Sequence, residues 1–183
     1  MSKLFKNIDK YKNRIAFTDS NNLNYSFKYV LSECKNLNAK VKKHSLILMI
    51  VGNNIESAIG YISFIKGKNT TILLDKSFDP NFVNKIINKY KPNYLFCPRK
   101  FNTKNKNFKN LLSYGDYILF STLYKRHKNI NRNNSLLLPT SGTTQNPKLV
   151  RLSSVNLYNN TKNIINYLKI NSKDMTITTM PLG

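Results

Sequence analysis

The sequence predicts an α/β fold built from parallel βαβ units with flanking helices. Two observations carry that prediction. Residues 45–97 run strand, helix, strand, helix, strand at a spacing that suits two consecutive crossovers. Within them, Ser45 to Val51 (SLILMIV) is a continuous apolar run between polar residues, as expected of a strand buried on both faces. Right-handed crossovers would set the three strands parallel, with helices covering the sheet.

Each element has a local reason. Arg14 to Asp19 (RIAFTD) reads as a short strand, and Asn21-Asn22 supplies turn chemistry after it. Phe27, Val30, Leu31, Cys34, Leu37 and Val41 then recur at spacings of three and four, the stripe of an amphipathic helix, with Ser26 placed to cap it. After the apolar run, Gly52-Asn53-Asn54 turns the chain into a helix, Ile55 to Lys66. Ile72 to Leu74 is a second buried strand, ending at Asp75. Pro80 opens a helix to about Tyr90 because its fixed φ suits the first turn. Lys91-Pro92 stops that helix, and Tyr94 to Cys97 follows as the third strand.

Beyond this point the pattern loosens. Arg99 to Asn110 is polar, basic and without periodicity, so it reads as a solvated loop. Asp116 to Leu123 returns to strand, and Lys125 to Asn134 is again loop, which makes residues 99–134 a basic, loop-rich connection. Leu136 to Leu152 reads apolar strand, polar loop, apolar strand. Ser153 or Ser154 can cap a helix to about Leu168, with Val155, Tyr158, Ile164, Ile165 and Leu168 as its inward face. Met175 to Leu182 reads as a last strand.

The totals bound the function. With 183 residues and 40% hydrophobic content, the chain can bury a sizeable core, as one domain or the larger part of one. Its 30 Lys+Arg against 8 Asp+Glu give a formal charge of +22, which would suit a polyanion partner. Compositional bias explains the charge better. Roughly one residue in six is Asn, Trp is absent, and Arg, the residue suited to bidentate recognition, is scarce. The positive charge is also spread along the chain and confined to no one element.

Cys34 and Cys97 form no CxxC and have no His nearby, so they read as core thiols of a reducing compartment, with no metal site. His44 and His127 read as surface residues, and Glu33 and Glu56 as members of solvated helix faces. The start, MSKLFKNIDKYKN, has no apolar core of a secretory leader, and no apolar run nears the roughly 18 residues needed to span a bilayer. A cytoplasmic location is therefore expected.

The loop between the two strands of 136–152 carries the chemistry. Thr140, Ser141, Thr143 and Thr144 offer hydroxyls, and Gly142 permits close backbone approach that a β-carbon would block. Successive amides in such a loop can form an anion nest, and Lys148 adds a charge suited to pyrophosphate. It is not the P-loop of common NTPases, where Gly-Lys-Ser/Thr leads into a helix; here Pro147 precedes Lys148 and a strand follows.

TSGTTQNPKLV resembles the phosphate-loop signature of the adenylate-forming enzymes: acyl-CoA synthetases, AMP-dependent ligases and peptide-synthetase adenylation domains. Ten of the eleven positions of Thr-Ser-Gly-Ser/Thr-Thr-Gly-x-Pro-Lys-x-Val fit, free positions counted. The likeness extends to YSFKYVLSE, to VGNNIESAIGYISFIKGKNTTILLD and to the exit RLSSVNL, and so covers nearly the whole chain. The resemblance implies a truncated part of the large amino-terminal domain of such an enzyme over residues 1–183, with the carboxy-terminal domain absent.

It also implies a reaction. ATP, with Mg2+ in the complete enzyme, would be held at its β- and γ-phosphates by Thr140, Ser141, Gly142, Thr143, Thr144 and Lys148. A small-molecule carboxylic acid would attack the α-phosphate, giving an acyl-adenylate and pyrophosphate. Coenzyme A or a phosphopantetheine thiol would then take the acyl group. No catalytic and no metal-binding residue is assigned within the chain, which alone is expected to be inactive. Gln145 departs from the signature at its second glycine, where a residue needing positive φ would cost about 1 kcal/mol. The alternatives are an accessory or binding module completed by a complementing polypeptide and, ranked last, a basic nucleic-acid binder.

Overall fold

The computed structural model describes residues 3–5, 8–101, 108–125, 131, 133–140 and 148–178. In chain order the elements are β1 (Ile15–Thr18), β2 (Asn24–Ser26), α1 (Phe27–Ala39), β3 (Leu46–Val51), α2 (Ile55–Lys66), β4 (Thr70–Asp75), α3 (Pro80–Tyr90), β5 (Tyr94–Pro98), β6 (Lys109–Tyr114), β7 (Tyr117–Ser121), β8 (Asn134–Pro139), β9 (Leu149–Ser153) and α4 (Ser154–Tyr167). Strands β1 and β2 form a small antiparallel ribbon; the other seven make one mixed sheet in the order β6-β7-β5-β3-β4-β8-β9.

The centre of that sheet is parallel, as expected. Strand β3 pairs with β4 on one side and β5 on the other, and β4 pairs with β8, all parallel. From β3 the chain steps one way to β4 through α2, then back past β3 to β5 through α3. Keeping both crossovers right-handed while the direction reverses requires the two helices to lie on opposite faces. The packing obeys this. Ile59 and Phe64 of α2 join Ile47, Met49 and Val51 in one core, with Val30, Cys34 and Leu37 of α1 beside them. Val83, Ile86 and Ile87 of α3 join Leu46, Leu48 and Ile50 in the other.

Caps fix where the helices begin. The side chains of Ser26, Asn54 and Ser153 accept from the backbone N–H of Tyr29, Ser57 and Asn156, each three residues on. Helix α3 starts with Pro80 after Asp79, whose side chain accepts from Asn81 N–H, and ends at Lys91 in the left-handed region (φ 45°) just before Pro92. Buried asparagines join strand starts: Asn93 Oδ1 accepts from Leu46 N–H at 3.1 Å, and Asn69 Oδ1 from Ser45 N–H at 3.0 Å. In an Asn-rich chain, these two satisfy main-chain donors that would otherwise be buried without partners.

Four expectations need correction. Strand β6 covers Lys109 and Asn110, which read as loop, and pairs antiparallel with β7 around Gly115 (φ 52°). Strand β2, just before α1, had no periodic signal over its three residues. Helix α4 forms as expected and is capped by Ser153, but none of its residues is buried. Val155, Ile164, Ile165 and Leu168 of its supposed inward face stand 41–62% exposed. Finally, residues 175–178 form no strand and have no strand beside them, with Met175 and Ile177 almost fully exposed; 179–182 lie outside the described residues.

Close packing makes a test at Gly60. A β-carbon there would lie 2.7 Å from Phe96 Cε1 and 2.9 Å from Met49 Cε. Phe96 is held from other sides, at 5.6 Å edge-on to Phe64 and 5.0 Å from Tyr117. Gly60→Val is expected to destabilise the fold by ~2–3 kcal/mol through overpacking, read as a lowered urea midpoint. An unchanged midpoint would mean that this core is looser than described.

Candidate functional site

Strands β8 and β9 form an antiparallel hairpin whose register runs from Asn134↔Ser153 to Pro139↔Leu149. On its other side β8 is held by β4, and its middle residues Ser135, Leu136 and Leu137 are buried. The hairpin's loop is therefore anchored to the sheet core through one strand. At the loop mouth Thr140 N–H donates to Lys148 O at 3.2 Å, and both residues are exposed. The structure thus brings together two of the six sequence-predicted phosphate contacts. Ser141, Gly142, Thr143 and Thr144 lie outside the described residues, as does Gln145.

The loop leaves the sheet at the carboxyl end of β8. Because β3, β4 and β8 run parallel, the same edge carries Gly52 after β3 and Lys76 after β4. Helices α2 and α3 begin there too, with Asn54 and Asp79 as their caps. Helix amino termini present partly positive dipole ends and free N–H groups. Ligands of open α/β sheets sit outside this edge.

Gly52 is held firmly. Its N–H donates to Ser57 Oγ at 3.1 Å, and that hydroxyl donates in turn to Tyr117 OH at 2.8 Å, inside the core. Lys76 N–H donates to Val51 O at 2.8 Å, which pins its backbone against the end of β3. Its side chain rests on Gly52, with Cδ 3.2 Å from where a β-carbon would stand.

Two hollows among the described residues differ in relevance. The larger, about 620 Å³, lies beside α1 among Lys12, Lys28, Lys35 and Lys66, away from the loop. The other, about 560 Å³, lies between the end of α3 and the hairpin, over Leu46, Leu137 and Leu149, with Lys148 and Arg151 on its lining. Of the two, the second touches the hairpin.

Other chemically active groups are accounted for structurally. Cys34 and Cys97 are buried and free, as expected. Burial pushes their thiols up to about 11 and about 12, so at neutral pH neither is a nucleophile. His44 is half-buried and not a plain surface residue: it has φ 58° at the turn into β3, and its N–H donates to Lys68 O. His127 lies outside the described residues. Glu33 and Glu56 are half-buried where solvated faces were expected. Glu56 Oε1 accepts from Asp116 N–H at 3.5 Å and presses on the Gly115 turn, so it ties α2 to the β6–β7 hairpin. Burial, then the neighbouring Tyr29 and the two glutamates, raises the Tyr114 hydroxyl well above its ordinary value. Among the described residues no three His, Cys, Asp or Glu side chains converge on a metal site, and no helix is long and apolar enough to cross a membrane.

No protein-family model matches the sequence, and no curated protein matches it. Solved structures do match. Apo MatB from Rhodopseudomonas palustris aligns over 98% of this chain with a TM-score of 0.75 at 15% identity. The o-succinylbenzoate CoA synthetase (MenE) from Bacillus subtilis, complexed with its acyl-adenylate intermediate OSB-AMP, aligns over 100% with a TM-score of 0.75 at 17% identity. The chain has the fold of the amino-terminal portion of adenylate-forming enzymes. The amino-terminal subdomain of Klebsiella oxytoca NpsA, in complex with 3-hydroxybenzoyl-AMSN, agrees over 84% of the chain with a TM-score of 0.60 at 14% identity. The chain spans only 39% of the MatB chain, 50% of the MenE chain and 41% of the NpsA chain.

The raised thiol values give a pH prediction. Both lie above the ordinary thiol value of 9, so the stability they contribute is whole below pH 9 and is lost as the pH climbs through 11. The fall in urea midpoint between pH 9 and pH 11 is expected to be smaller in Cys34→Ala than in the unaltered chain. Equal falls would show that the Cys34 thiol titrates as freely in the fold as outside it.

Proposed function

We propose that this chain is the amino-terminal part of an ATP-dependent acid ligase of the adenylate-forming family. In this reading Thr140, Ser141, Gly142, Thr143, Thr144 and Lys148 hold the β- and γ-phosphates of ATP. The oxygen of a small carboxylic acid then attacks the α-phosphate, the bond to the β-phosphate breaks, and acyl-adenylate and pyrophosphate result. A thiol, coenzyme A or a carrier's phosphopantetheine, takes the acyl group afterwards and releases AMP.

One observation carries the reading: the Thr-Ser-Gly-Thr-Thr…Pro-Lys segment spans the mouth that Thr140 and Lys148 close at the carboxyl edge of the sheet. The fold supports it, since structures of the same architecture are described with AMP or an acyl-adenylate bound. The donor set suits a polyphosphate: hydroxyls, backbone amides and one ammonium, at an edge where two helices begin. Mg2+ would arrive with the nucleotide. Among the described residues no group of three or more His, Cys, Asp or Glu side chains could hold it.

In this reading residues 1–183 by themselves supply phosphate binding and not the adenylation step, which needs stabilising charge aimed at the reacting α-phosphate. Purified chain is expected to bind ATP and pyrophosphate more tightly than AMP, and to give no carboxylate-dependent exchange of labelled pyrophosphate into ATP. Lys148→Ala is expected to weaken ATP about tenfold, the loss of one charge-assisted contact, as titration calorimetry would read. Equal affinity for ATP and AMP, or no effect of Lys148→Ala, would refute the phosphate-site reading.

A further inference from the structure

We infer that the groove along the outer face of α1 docks an acidic helical segment of a partner protein. The inference is independent of the phosphate loop. Three observations lead to it.

The first is a cluster of uncompensated charge. Lys12, Lys28, Lys35 and Lys66 line one hollow of about 620 Å³, against a single carboxylate, Asp9. Among the described residues none of the four ammonium groups has an ion-pair or hydrogen-bond partner. Like charges gathered in this way repel one another, and an anionic partner relieves the repulsion. The cluster is rooted on both sides. Lys12 O accepts from Lys28 N–H at 2.9 Å, which ties the chain start to the first turn of α1. Lys66, half-buried, ends α2. Burial raises the Cys34 thiol and the Lys66 charge opposes the rise, so that ammonium stands near the floor of the groove.

The second is shape. Of the residues lining the hollow only Cys34 is buried. It is therefore an open groove, whereas sites for small molecules enclose most of their ligand's surface. Its bed is one helix face, since Lys28, Leu31, Ser32, Lys35 and Asn38 recur at spacings of three and four. Lys28 and Lys35 stand about 10.5 Å apart along the axis of α1. One phosphate or carboxylate group does not bridge that distance. A second helix laid along α1 meets both cations.

The third is Leu31. It lies between the two cations on that face, half-buried, and outside the packing of both cores. Its place on the periodic stripe suggested the interior, but the structure turns it to the groove. An apolar residue between cations suits an amphipathic helix with carboxylates seven residues apart and an apolar residue between them. It offers nothing to a nucleic-acid backbone. Among the described lining residues there is also no Arg and no aromatic ring on which a base could stack.

The probe is a labelled synthetic helical peptide of about 15 residues, with Glu at two positions seven apart and Leu three and four places after the first. It is titrated with the purified chain and followed by fluorescence anisotropy. Binding is expected that weakens as salt rises, and that falls about tenfold in Lys28→Glu and in Lys35→Glu. Lys85→Glu, at an exposed position of α3 on the other face of the sheet, reports net charge alone and is expected to bind as the unaltered chain does. Lys28 and Lys35 are exposed, so their variants are expected to keep the urea midpoint. Changing both Glu of the peptide to Gln tests the charge without touching the fold, and is expected to abolish binding. No binding by the unaltered chain, equal losses in Lys28→Glu and Lys85→Glu, or undiminished binding of the Gln peptide would overturn the inference. So would a DNA duplex that displaces the peptide and binds more tightly through Lys28, which would make the groove a nucleic-acid face.

Discussion

The rest of the structure hangs on the burial of β3 on both faces. Its six residues are all buried, and they alternate between two cores: Ile47, Met49 and Val51 toward α1 and α2, Leu46, Leu48 and Ile50 toward α3. A strand in that position needs a neighbour on each edge and a helix over each face. Parallel pairing with β4 and β5 supplies the neighbours, and the crossovers that make the pairing parallel supply the helices. Each fully buried Leu or Ile side chain contributes ~1.5–3 kcal/mol, so this one strand outweighs any surface interaction in the molecule. The buried Asn69 and Asn93 keep the strand starts from costing what the burial gains.

The same constraint creates the candidate site. Parallel strands end on one edge, and the helices that follow them begin there, so main-chain donors and turn residues collect without further design. Gly52 meets Lys76, and Thr140 meets Lys148, at strand ends that the sheet sets on one edge. Position on this edge, more than the count of basic residues, separates Lys148 from the many other lysines. The large hollow among Lys12, Lys28, Lys35 and Lys66 shows the contrast: four cations from α1, α2 and the chain start, with no glycine-rich loop and no strand ends.

The parallel centre was legible because burial on both faces leaves a signature in the residues. SLILMIV could hardly be anything else, and Asn54, Pro80 and Pro92 marked helix ends by their own backbone chemistry. What periodicity could not supply was partners. The stripe Val155, Ile164, Ile165 and Leu168 is apolar at helical spacing, yet a stripe does not say what covers it, and here it faces solvent. The segment around Met175 has strand composition without a strand to pair with. Strand β6 was hidden for the opposite reason: its KNLLSY is half polar, as suits an edge, and the clue lay in Gly115-Asp116 between two apolar stretches. At the site, the motif named Thr140 and Lys148, whose meeting the register of β8 on β9 sets.

The central claim is that the carboxyl edge of β8 receives a polyphosphate. Hydrogen exchange of the purified chain with and without ATP, resolved by peptide, addresses it most directly. The account predicts slowed exchange across residues 139–149 and at the turns after β3 and β4, with β6 and β7 unchanged. Exchange that is unaltered at 139–149, or slowed instead around α1 and its lysines, would contradict it.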